Sequence, residues 1–262
     1  MLSSSQSVQP IPAMPDSVAD RVRLLNDLAT GRVSRPPAAT RIIIKIGLDD
    51  SVERVQECAL WALAGRVSGP RFSGGVAGAQ WSAERSVLAS LKPDVAGKLS
   101  SPSHRIRHAA LVALGSFEYD PANGGRVLRL SDEFVSLLVR MYRHEPHALV
   151  RSEIVKAIAL DSRAKSGENT LIAALDDSEP AIVRIAANGI AEHAMAVQLP
   201  KLATLLKHPE ADVRIAVASA LSQFGPAAIA QLRPLQLALA GEQEPDVRGA
   251  MSTAIAMLQG VK

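Results

Sequence analysis

Apolar positions along the chain follow a helical period, and they recur in one template. In Pro209–Leu221, P-E-A-D-V-R-I-A-V-A-S-A-L, Val213 is taken as position zero, with Ala216 at +3, Ala220 at +7 and Leu221 at +8. These offsets share one face of a 3.6-residue helix, and a stripe of mostly small residues there lets neighbouring helices approach closely. The template returns at Val55, Ile106, Val150, Val183 and Val247, which makes six anchors. Arginine follows five of them, at Arg107, Arg151, Arg184, Arg214 and Arg248, while Gln56 follows the first and Glu153 interrupts the stripe after Val150.

Turn residues precede every anchor: L-D-D-S, L-S-S-P-S, H-E-P-H, L-D-D-S-E-P, K-H-P-E-A-D and E-Q-E-P-D. Asp, Ser and Pro at such places end one helix and cap the next. A second apolar set stands about eight to twelve residues before each anchor. Ile43 with Ile44, Leu171 with Leu175, and Leu235 with Leu239 are examples. Each repeat is therefore a helix A, a tight turn and a helix B that begins near the anchor. The run Ile42-Ile43-Ile44-Lys45-Ile46 would pass for a strand alone, but it stands where helix A stands elsewhere and is predicted helical.

The predicted fold is all-α, an α-solenoid of about six two-helix repeats over 39–262. A disordered tail is expected over 1–15, then an N-terminal capping helix and linker over 16–38, with Val18, Val22, Leu25 and Leu28 on one helical face. Anchors follow one another at intervals of 51, 44, 33, 30 and 34 residues. The two long intervals hold inserts at 65–82, glycine-rich and expected to be irregular, and at 117–130, with turn chemistry at Asp120-Pro121 and Asn123-Gly124-Gly125.

The D-V-R-x-A pairs at Asp212–Ala216 and Asp246–Ala250, the Gly225-Pro226 junction and Pro234 within helix A resemble the HEAT-repeat family, including its short variant in phycobilisome lyase subunits. The resemblance covers roughly residues 38–260. It implies that helices A line a convex face and helices B a concave one, and that Asp212, Asp246 and the arginines after the anchors bond between turns. On that basis the concave surface is read at +2, +5, +6 and +9 of each helix B. The function it implies is a non-enzymatic protein-interaction scaffold, with a chromophore-lyase-like subunit as an alternative.

Composition narrows the other classes. Hydrophobic residues make up 47% of the chain and aromatics 3%, so the core is built from Ala, Leu, Val and Ile, which suits stacked helices. A net charge of +3 is a mild bias, and nucleic acid is not the expected partner. The alternative would use Arg105, Arg107, Arg126, Arg129, Arg140, Arg143 and Arg151. The single cysteine, Cys58, takes an alanine-type core position and is read as packing. No apolar run reaches a membrane span, and the Ser/Gln/Pro-rich start lacks a secretory pattern. The expected location is cytoplasmic, with a substrate of a specialised secretion system as the alternative.

No catalytic, cofactor or metal site is predicted. His104 and His108 are spaced i, i+4 but have neither the glutamate of H-E-x-x-H nor a third ligand. The S-G-G-V-A-G glycines match no phosphate-binding fingerprint. A row of arginines tied to the repeat period is read as serving the repeat. The expected partner is another protein, with no cofactor and no membrane. Its predicted surface is Trp61, Arg66, Arg71, Phe72, Trp81, Phe117, Tyr119, Arg126 and Arg129, in or beside the inserts, because aromatics and arginines most often carry interface energy. The other reading is that these rings only tack the inserts onto the helices.

Overall fold

The computed structural model describes residues 13–68, 76–118, 129–161 and 163–260. Among them every regular element is helical, with fourteen α-helices joined by turns and short 3-10 segments. The chain divides into two compact units, Met1–Gly124 and Gly125–Lys262. Among the described residues no helix is long and apolar enough to cross a membrane.

The first unit contains α1 (Val18–Thr30), α2 (Pro37–Leu48), α3 (Glu53–Ser68), α4 (Val76–Leu88), α5 (Lys92–Lys98) and α6 (His104–Ser116). Helix α2 packs on α3 and α5 on α6 as A–B pairs, while α3 and α6 stack as successive B helices. The isoleucine run is the middle of α2. Ile43, Ile44, Gly47 and Leu48 are buried at helical spacing, and Pro37 opens the helix where a missing N–H costs nothing.

Helix α1 packs against α3 as a B helix does. The contact is close: a Cβ added at Gly65 would lie 2.6 Å from the Ala29 carbonyl oxygen. The glycine-rich insert is more regular than expected. Residues 65–68 end α3, and residues 76–82 lie in α4, whose alanines favour helix. Residues 69–75 of that insert, residues 119–128 of the second and residues 1–12 of the predicted tail fall outside the described residues.

The second unit contains α7 (Asp132–Tyr142), α8 (Ala148–Leu160), α9 (Glu168–Ala174), α10 (Pro180–Glu192), α11 (Leu199–Thr204), α12 (Ala211–Gln223), α13 (Leu232–Gly241) and α14 (Pro245–Leu258). Its A–B pairs are α7/α8, α9/α10, α11/α12 and α13/α14, and α8, α10, α12 and α14 stack in order as B helices.

All six anchors are buried, and so is position +4 in every B helix: Ala59, Ala110, Ile154, Ala187, Val217 and Met251. Position +5 departs from the sequence reading. Leu60, Leu111, Val155 and Ala218 are core residues, and only Asn188 and Ser252 are exposed there. The cause is that an interior B helix touches its own A helix and the B helices on both sides, as α10 touches α9, α8 and α12. That arrangement buries a wider arc than a single stripe. Gly189, at +6 of α10, is also buried, because a Cβ there would come within 2.8 Å of the Ala159 Cβ. The reachable face of the B helices is therefore +2, +6 apart from Gly189, and +9 apart from Ala64 and Ala159.

Candidate functional site

Four of the five arginines after the anchors bond their own turn, and two of these, Arg151 and Arg214, also hold an acid of the next turn. One end of these guanidinium groups donates to carbonyls in the same turn: Arg107 to Ser101 and Pro102 at 2.9 and 3.0 Å, and Arg214 to His208 and Pro209, both at 2.8 Å. Arg151 donates likewise to Pro146 at 2.8 Å and Arg248 to the Glu242 carbonyl at 2.9 Å. In two of them the other end forks onto a carboxylate in the next repeat's turn. Arg151 takes Asp177 at 2.8 and 2.9 Å, and Arg214 takes Glu242 at 2.7 and 3.0 Å. Such bidentate, charge-assisted pairs fix geometry as well as adding energy.

The two acids are tuned by these bonds. The Arg214 fork first, then the Glu244 backbone N–H, hold the Glu242 carboxyl well below its ordinary range, at about 2. Burial alone would raise Asp177, but hydrogen bonds from Arg151, the Glu179 N–H and the Tyr142 hydroxyl outweigh it and hold it low. Asp212 and Asp246, singled out from the sequence, are exposed and make no hydrogen bond or ion pair among the described residues. The carboxylates that meet the arginines stand five or six residues before an anchor. The legible signal was an acid at that offset.

The same arrangement identifies α1. Arg21 donates to the Asp16 carbonyl at 2.6 Å, and its Nε lies 2.9 Å from Asp50 Oδ2, a close ion pair rather than an aligned hydrogen bond. Where Gln56 replaces arginine, its amide N–H still reaches the turn, at the Asp50 carbonyl 2.6 Å away. Its amide oxygen accepts from Lys98 at 3.0 Å, so the partner is a cation instead of an acid.

Arg184 is the exception. It is exposed and makes no hydrogen bond or ion pair among the described residues. Two local features account for this. Helix α10 begins four residues before its arginine, whereas α6, α8, α12 and α14 begin three before theirs, so its turn is offset by one residue from the guanidinium. The position of the acid in the next turn holds His208, whose Nδ1 accepts from the Glu210 N–H at 3.1 Å. The released guanidinium borders a groove of about 440 Å3 between α10 and α12, lined by Arg184, Asn188, Asp212, Ile215, Ala216 and Ser219.

The residues proposed from the sequence as a partner surface have varied placements. Arg66 forks onto Glu84 at 2.8 and 2.6 Å and ties α3 to α4. Phe117 is only 8% exposed, its carbonyl accepts from Arg85, and Lys92 lies 4.9 Å from its ring centre. Trp81 is half-buried beneath the Arg85 guanidinium, 5.3 Å from the ring centre. Trp61 is half-buried on the B face, edge to face with His108 at 5.7 Å. Arg129 is exposed. Arg71, Phe72, Tyr119 and Arg126 lie outside the described residues. Cys58 is buried, and burial pushes its thiol up, away from reactivity.

HEAT repeats match residues 168–258 as a family. No curated protein matches the chain. In fold, the chain is similar to the crystal structure of an engineered protein at 17% identity and a TM-score of 0.59. That match covers 93% of this chain and 66% of the other, so this chain spans just under two-thirds of its length. It is also similar to a designed armadillo repeat protein in complex with the peptide (KR)4, at 20% identity and a TM-score of 0.55, covering 78% of this chain and 91% of that one. The chain is an all-α helical-repeat protein.

Proposed function

We propose that this protein is a non-enzymatic interaction scaffold that holds a segment of another protein against the exposed face of α8, α10, α12 and α14. Helical repeats stack into extended faces suited to this use, and the fold is typically non-catalytic. The observation that carries the reading is the α10/α12 groove, where a guanidinium, an amide, a carboxylate and a hydroxyl line one opening and bond to nothing else among the described residues. In the predicted insert surface, by contrast, Arg66 and Phe117 are already engaged within the fold.

Site-specific photo-crosslinking tests this. A benzoylphenylalanine placed at Ser219 or Lys156 is expected to capture one protein, and one placed at Arg129 is not. Capture at Arg129 alone would move the surface to the edge of the second insert. Salt-sensitive retention on DNA with no protein captured would favour the nucleic-acid alternative.

A further inference from the structure

We infer that the α10/α12 groove reads an extended peptide carrying an acidic and a basic side chain two residues apart, the acid on Arg184 and the base on Asp212. This rests on the scaffold reading and names the chemistry of the segment held.

Consider what each lining group lacks. Arg184 has five N–H donors and no acceptor among the described residues, and the equivalent Arg151 and Arg214 each hold a carboxylate. A carboxylate is therefore the group that the repeat geometry itself matches to an arginine in this position. Asp212 is acceptor-only when ionised and is equally without an ion pair among the described residues. The two line one groove without forming an ion pair with each other, so each keeps its charge available to a ligand in that groove. A singly charged ligand would satisfy one and leave the other facing a neutral group.

Asn188 and Ser219 suit the remainder of such a ligand. A carboxamide offers both a donor and an acceptor, the combination that a peptide backbone also presents, and a hydroxyl offers the same on a smaller scale. Neither side chain hydrogen-bonds among the described residues. Ile215 and Ala216 provide an apolar wall for the stem of a lysine or glutamate. Successive side chains of an extended segment point to opposite sides, so same-side neighbours are two residues apart, roughly 6.5–7 Å. Stacked helix axes lie about 8–10 Å apart, a span that two opposite charges at that spacing can bridge.

The test uses the full chain and labelled ten-residue peptides of Gly, Ser and Ala with a central Glu-Ala-Lys, Lys-Ala-Glu, Gln-Ala-Gln or Lys-Ala-Lys, titrated by fluorescence anisotropy. One of the two mixed-charge peptides is expected to bind at least tenfold more tightly than the neutral one and more tightly than the all-basic one. The double variant Arg184→Glu, Asp212→Arg is expected to prefer the opposite order of charges, at an unchanged melting temperature. Equal binding of the neutral peptide, strongest binding of the all-basic peptide, or no binding up to millimolar concentration would each overturn the proposal. So would a double variant that keeps the original order. Crosslinking from Ser219 to a partner would then still stand by itself, which separates failure of this inference from failure of the scaffold reading.

Discussion

Arg184 and Arg214 occupy the same position in successive B helices of the second unit, one residue after a buried valine, yet they meet different surroundings. Arg214 is held by two turn carbonyls and by both oxygens of Glu242. Arg184 meets a turn set back by one residue and a histidine where the acid would stand, and it faces a groove. An arginine at this position is thus structural only when its two neighbouring turns supply acceptors. Withdraw them, and the repeat releases a cation to its surface without altering the helix that carries it.

The largest expected effect comes from breaking the held member. Arg214→Ala should lower stability by about 1–3 kcal/mol, because the two turn carbonyls and both Glu242 oxygens lose their charged donor. Chemical denaturation of variant and parent checks this, and a loss below about 0.5 kcal/mol would mean that the turn holds without the arginine.

Acid should act on the same contact. The folded Glu242 carboxyl sits at about 2, below its ordinary 4.5. A depressed carboxyl contributes stability that is fully present above the unfolded value and is lost as pH falls toward the folded one. Melting temperature is therefore expected to fall between about pH 4.5 and 2, and Arg214→Ala should flatten that dependence. A variant as acid-sensitive as the parent would point to other carboxylates.

Smaller effects should come from converting one member into the other. His208→Glu supplies the missing acid and should raise stability by about 0.5 kcal/mol at neutral pH, the value of a partly exposed pair. It should also weaken mixed-charge peptide binding by engaging Arg184. Arg184→Ala should leave stability within about 0.5 kcal/mol of the parent, since no bond is broken. A loss as large as that of Arg214→Ala would show that Arg184 is held in solution.

Much of the architecture was legible because it is periodic. A valine or isoleucine at intervals of 30 to 51 residues, small residues at helical offsets and a Pro/Asp/Ser turn before each were enough to mark the six B helices, and the isoleucine run resolved correctly through its place in the period. The role of α1 was less so. Its arginine and its Pro15-Asp16 turn repeat the later units, but Asp20 occupies the anchor position and masks the template. The acids that hold the arginines were hidden for a related reason. Asp212 and Asp246 lie beside the arginines in sequence, while the true partners lie in the following turn, nearly thirty residues on.

By itself, then, the amino-acid order determined what is local: which stretches form helix, where they stop, and which side of each helix must be hidden. These depend on spacing within one or two turns of chain. The tertiary structure decided what depends on neighbours. It widened the buried arc of the B helices to take in Leu60, Leu111, Val155 and Ala218, and drew Phe117 into the core. It also separated one arginine from four others that look the same in sequence. A side chain's partners are set by which turn comes to rest against it, and a one-residue shift in a helix start is enough to change them.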